Sequence, residues 1–159
     1  MNAEKLIELL SLEPLSEEGG FFRETYRSRC YLEKGGEKRT LATAIYYLLK
    51  EGEVSRLHRL RSDETWHFYL GDPVELFVFK EDGSGGKILL GNDIELGELP
   101  QFTVPAGSVQ GARLKNGGKF ALMGTTVYPG FDPKDFDLCG RDEMIAAYPA
   151  HQEIINSLT

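Results

Sequence analysis

Apolar positions open the chain at helical spacing. Leu6, Ile7, Leu9 and Leu10 lie on or near one side of the first ten residues, which predicts a short amphipathic helix that Asn2 can cap. Pro14 and the pair Gly19-Gly20 break that pattern. The period then shortens toward two. Strands are expected at Phe21–Ser28, Leu41–Leu49, Val54–Leu60, Glu64–Leu70 and Val74–Phe79, and again at Lys87–Leu90, Phe102–Val104, Val109–Leu114 and Phe120–Val127. Turn chemistry separates them: Lys34-Gly35-Gly36-Glu37, Asp72-Pro73, the Glu81–Gly86 run and Asn116-Gly117-Gly118. Pro129-Gly130 ends the last strand. Asp142–Tyr148 and Pro149–Leu158 read as two short helices, with Pro149 suited to a first helical turn.

Short strands at regular spacing, with no long helix between them, predict an all-β sandwich or barrel and exclude a doubly wound α/β fold. The 159 residues suit one domain spanning 1–159, with no linker and no internal repeat.

Charge narrows the partners. A net charge of −7 argues against a nucleic-acid polymer, since phosphate contact needs clustered Lys and Arg. No apolar run approaches the ~20 residues needed to span a bilayer, so no membrane partner is expected. The opening segment lacks a cleavable signal pattern. Cys30 and Cys139 make neither a disulfide framework nor a metal knuckle, and read as reduced thiols in a cytoplasmic protein.

Candidate chemistry concentrates between Gly52 and Gly71. Strand alternation places Arg56, His58 and Leu60 on one face, and Glu64, Trp66 and Phe68 on one face of the next strand. A His and a carboxylate among aromatics suit a ligand pocket better than a plain core, because an unpaired buried carboxylate costs several kcal/mol. After Pro105 and Gly107, Gln110 offers an amide to a ligand or its oxygen to a metal. His58 is the candidate catalytic acid or base. Arg56, Glu64, Trp66, Phe68, Gln110, Tyr46 and Tyr128 are the expected pocket, with Tyr47 a further candidate ring. Arg56 is the candidate anion contact, and Trp66 and Phe68 are expected to line the cavity. His67 falls on the opposite face from Glu64. Arg23 and Arg27 read as strand-surface charges, Glu24 and Tyr26 as pocket mouth or subunit interface, His151 as exposed, and Asp132, Asp135 and Asp137 as a solvated turn.

These spacings resemble the cupin superfamily. Its first motif, G-x5-H-x-H-x3-E-x6-G, is matched by Gly52, His58, Glu64 and Gly71, with Leu60 where the second His belongs. Its second, centred on P-x-G-x2-H, is matched by Pro105 and Gly107, with Gln110 at the His. More specifically the chain resembles the Cupin_5 (DUF985) group, through Glu18–Ser28, Thr43–Leu49, His58–Gly71, Val104–Gly107 and Pro129–Phe136. The resemblance implies a cupin jelly roll, a homodimer, and a small-molecule ligand in the barrel. The ligand implied is sugar- or nucleotide-like, as in the nucleotide-sugar epimerases that work with a His base and a Tyr acid. Two alternatives stand beside it: a non-catalytic sensing cupin, and a degenerate metal cupin using His58, Glu64 and Gln110. A divalent metal is disfavoured, because Leu cannot ligate and Gln is a weak oxygen donor.

Overall fold

The computed structural model describes residues 2–159, with Lys34 described by its backbone only. Helix α1 (Ala3–Leu10) is capped as expected, with the Asn2 side chain accepting from the Lys5 N–H. Then come β1 (Glu13–Pro14), β2 (Phe21–Arg27), β3 (Tyr31–Lys34), β4 (Glu37–Thr40), β5 (Thr43–Lys50), β6 (Val54–Arg59) and β7 (Asp63–Gly71). They are followed by β8 (Val74–Phe79), β9 (Gly85–Leu90), β10 (Gln101–Val104), β11 (Val109–Leu114), β12 (Phe120–Tyr128) and β13 (Asp137–Leu138). Helices α2 (Arg141–Ala147) and α3 (Gln152–Ser157) close the chain, with a 3-10 turn at Pro149–His151 between them.

Two antiparallel sheets form a sandwich. One runs β1-β2-β5-β12-β7-β10, the other β13-β6-β11-β8-β9. The Lys34–Glu37 turn is tighter than an approach to one strand: it closes a separate hairpin, β3 with β4. The brief pairing of β13 with β6 also had no periodic signal, because two residues are too few to show one.

The sandwich interior is divided. At one end Tyr47, Leu49, Phe68, Val74, Leu76 and Met123 pack from both sheets into a sealed core. At the other end the interior holds polar and partly open positions. Two further apolar clusters cover the outer faces. Leu6 and Leu12 pack on Leu48 and Leu122 outside the larger sheet, so α1 is pinned by its apolar stripe. Met144, Ile155 and Leu158 pack on Leu57 and Phe79 outside the smaller one. His151 belongs to this layer: its ring lies edge-on to Phe79 at 5.3 Å and is half-buried rather than exposed. No helix among the described residues is long and apolar enough to cross a membrane.

Candidate functional site

His58 reaches the interior because β6 breaks its own alternation. Gln110 pairs with His58 and Ala112 with Ser55, so two residues of β11 span three of β6. The extra residue is a β-bulge. It lets both Ser55 and His58 face inward, while Leu57 packs outward under the C-terminal helices. Arg56, expected on the His58 face, is displaced by this bulge. Its guanidinium donates to the Glu17 carbonyl and borders a shallow surface hollow with Cys139 and Arg141. The Cys139 thiol there is no nucleophile, since burial pushes it up to about 11.

The imidazole of His58 is 1% exposed and stacks on Phe136, with ring centroids 5.1 Å apart. Nδ1 lies 2.8 Å from the Arg56 carbonyl, which can only accept, so Nδ1 carries a proton, and in the neutral ring the lone pair falls on Nε2.

Glu64 enters from β7, on the face it shares with Trp66 and Phe68 as alternation predicts. Its carboxylate accepts from Gln110 Nε2, and Gln110 Oε1 accepts from the Trp66 indole N–H at 2.8 Å. An indole nitrogen only donates, so it dictates which way the amide points. Burial pushes the Glu64 carboxyl above the usual range. The nearby His58 ring, when protonated, pulls it down, the Glu18 charge pushes it up, and the Thr125 hydroxyl and the Gln110 amide pull it down.

Above this layer lies a cavity of about 140 Å³. His58, Leu60, Glu64, Ile45, Thr125 and Val127 form its walls from the two sheets. Two irregular segments close the sides. One, after β1, brings Leu15, Glu17 and Glu18; the other, after β12, brings Phe131, Pro133 and Phe136. The first is held by Ser55 Oγ donating to Glu18 and by the Tyr47 hydroxyl donating to the Gly19 carbonyl at 2.8 Å. The second is held by Arg39 of β4 on Asp135, an ion pair with side chains 12% and 3% exposed. Asp135 is therefore a buried anchor, not part of a solvated turn; Asp137 is open to solvent as expected, and Asp132 is half-buried. Glu24 borders the cavity and is held by Arg27 at 2.7 and 3.0 Å, while Tyr26 is exposed.

Of the expected pocket residues, the structure brings His58 and Glu64 to the cavity, with Gln110 directly behind Glu64. Trp66 and Phe68 belong to the sealed core instead of lining the cavity. Tyr46 and Tyr128 project from the outer face of the larger sheet. Tyr46 meets Tyr69 edge-on, and the Tyr128 hydroxyl bonds that of Thr65. His67, outside as expected, bonds Thr126. The segments bearing Glu17, Glu18, Phe131 and Phe136 were missed as lining, because irregular backbone carries no periodicity to assign a face.

The family model Cupin_5, described as "Cupin superfamily (DUF985)", matches residues 4–139. The chain belongs to the Cupin_5 family. Two solved structures resemble it over its full length. A protein of Shewanella oneidensis is 38% identical with a TM-score of 0.91, covering 100% of this chain and 98% of that one. A hypothetical protein from Leishmania major is 34% identical, also with a TM-score of 0.91, covering 100% and 99%. Oxalate decarboxylase of Bacillus subtilis is similar at 16% identity and a TM-score of 0.56, over 90% of this chain and 36% of that one, which is a likeness of fold. A comparison with curated proteins gives no match.

Metal cupins hold their ion with three His and one Glu, and the residues of this Cupin_5 protein do not fit one. Leu60 offers no donor atom. The Gln110 oxygen is taken by the Trp66 indole, which turns its NH2 group, a non-ligand, toward Glu64. His58 Nε2 remains as the one free nitrogen of the expected set. Among the described residues no three His, Cys, Asp or Glu side chains are grouped to hold an ion.

Proposed function

We propose that this Cupin_5 protein binds a small organic molecule in the cavity between its sheets, and that His58 Nε2 is the group that exchanges a proton with it. The observation that carries this reading is the state of His58: buried, oriented through Nδ1 by a backbone carbonyl, clamped by Phe136, with a lone pair left over. An imidazole so fixed is pre-organised as a base.

Size sets the scale of the ligand. A cavity of about 140 Å³ compares with the ~150 Å³ that accommodates benzene, and falls short of the roughly 300–1,000 Å³ of pockets that engulf drug-sized ligands. The reading therefore moves away from a whole nucleotide sugar toward a molecule of about ten heavy atoms or fewer. Oxalate, named for the distant fold relative, is a poor candidate as a dianion beside Glu64 and Glu18.

The test is a ligand-observed NMR screen of small molecules against wild type and His58→Gln. Hits should weaken by about tenfold in the variant, roughly one lost hydrogen bond. Hits that bind both proteins alike would remove His58 from the site. For each hit, incubation in D2O separates catalysis from plain binding: deuterium entering a ligand C–H bond only with wild type marks His58 as catalytic.

A further inference from the structure

The lining selects among small molecules by charge. Four acidic residues border the cavity, Glu17, Glu18, Glu24 and Glu64, and among the described residues no Lys or Arg does. Arg27 neutralises Glu24 from outside. Glu18 meets the neutral hydroxyls of Ser55 and Tyr47, and Glu64 only neutral groups and His58. The surplus is negative. It extends inward: burial first, and then the Glu18 charge, hold the Tyr47 phenol well above its usual range.

Three phenylalanines, Phe22, Phe131 and Phe136, also border the cavity. Ring faces attract cations through their quadrupole, and carboxylates beside aromatic rings form the composition that recognises organic ammonium groups. His58 adds the third element, an acceptor lone pair on a ring 1% exposed, suited to an N–H donor.

We infer that the cavity is built for a small organic ammonium ligand, with a primary or secondary amine head against His58 Nε2, Glu18 and Glu64 and an apolar body against Phe22, Ile45 and Leu60. This rests on the binding role proposed above and names the ligand class for it. An anionic ligand would meet acidic residues with no cation among the lining; a neutral ligand would leave them without a charged partner.

Two matched series test it: benzylamine, benzyl alcohol and benzoate, and n-butylamine, n-butanol and butyrate. Affinities are measured by NMR titration at pH 7 and fixed ionic strength. The amine should bind about tenfold more tightly than the alcohol of its series, with the carboxylate weakest. A carboxylate that matches or exceeds its amine overturns the ammonium assignment while leaving the pocket standing. Silence from all six overturns the pocket itself. Glu18→Gln should cut the amine-over-alcohol preference by roughly fivefold and leave alcohol binding within about twofold. Glu17→Gln, at an exposed position, repeats the measurement where folding is not at stake. A preference unchanged in both variants, each folded by circular dichroism, overturns the assignment.

Discussion

Glu64 is a carboxylate held where its charged form is disfavoured, and that has a measurable signature. Its folded pKa lies above the ordinary 4.5, chiefly through burial. A group shifted this way favours the folded state most below its unfolded pKa. That contribution is lost as pH rises through the folded value. Glu64→Gln keeps an oxygen for the Gln110 amide and removes the charge. Its stability relative to wild type should therefore rise as pH climbs above about 4.5 and level off once pH passes the raised folded value, in urea unfolding at a series of pH values. A difference independent of pH would show that Glu64 does not titrate with the fold. Gln110→Ala is expected to act oppositely at neutral pH. It orphans the Trp66 N–H and strips a donor from Glu64, and should cost about 2–4 kcal/mol by the same measurement.

Among the elements, the bulge in β6 governs what the site contains, and it marks where sequence reasoning stopped. Strand alternation placed Glu64, Trp66 and Phe68 correctly on one face, because β7 is regular from Glu64 to Phe68. The same rule misplaced Arg56, because one extra residue in β6 resets the phase and nothing in the Val54–Leu60 pattern announces it. Tyr46 and Tyr128 illustrate a second limit. Residue type suggested ligand contact, but their phase in β5 and β12 sends them outward. The closing segments lay beyond reach for a third reason: Phe131 and Phe136 are positioned by a long-range ion pair, Arg39 with Asp135, that no local pattern encodes. The bulge itself is tightly seated. A Cβ on Gly111, opposite it, would lie 2.8 Å from Leu57 Cδ2 and 3.0 Å from the Ser55 carbonyl. Gly111→Ala should destabilise by roughly 1–3 kcal/mol through overpacking. By shifting β6 it should also alter the His58 imidazole signals in NMR; unchanged signals would show that the bulge does not set the ring's position. Gly19 is constrained differently, with φ at +105° and its Cβ direction blocked by the Val54 carbonyl. Gly19→Ala should displace Glu17 and Glu18 and weaken ligand binding beyond its effect on stability.

Across the whole molecule, the cavity is closed by parts distant in sequence, so its integrity depends on the hairpin β3–β4 at one side. Arg39 is the tie. Its charge is buried against Asp135 and it also donates to the Gly130 carbonyl. Removing one partner strands the other, and Arg39→Ala should cost about 2–4 kcal/mol in chemical denaturation. Phe136 should then loosen from His58, seen as a lost ring-current shift on the imidazole protons. An Arg39→Ala protein with native stability and an unchanged His58 spectrum would show that the segment holds itself.

The Trp66–Gln110–Glu64 chain has an optical consequence. Trp66 is the protein's single tryptophan, sealed from solvent and wired by two hydrogen bonds to the carboxylate that borders the cavity. Any event that changes the charge or position of Glu64 alters the field along the indole, so the native fluorescence spectrum is a label-free gauge of occupancy. A cation entering beside Glu64 should shift the emission, and the shift should vanish in Gln110→Ala while binding persists.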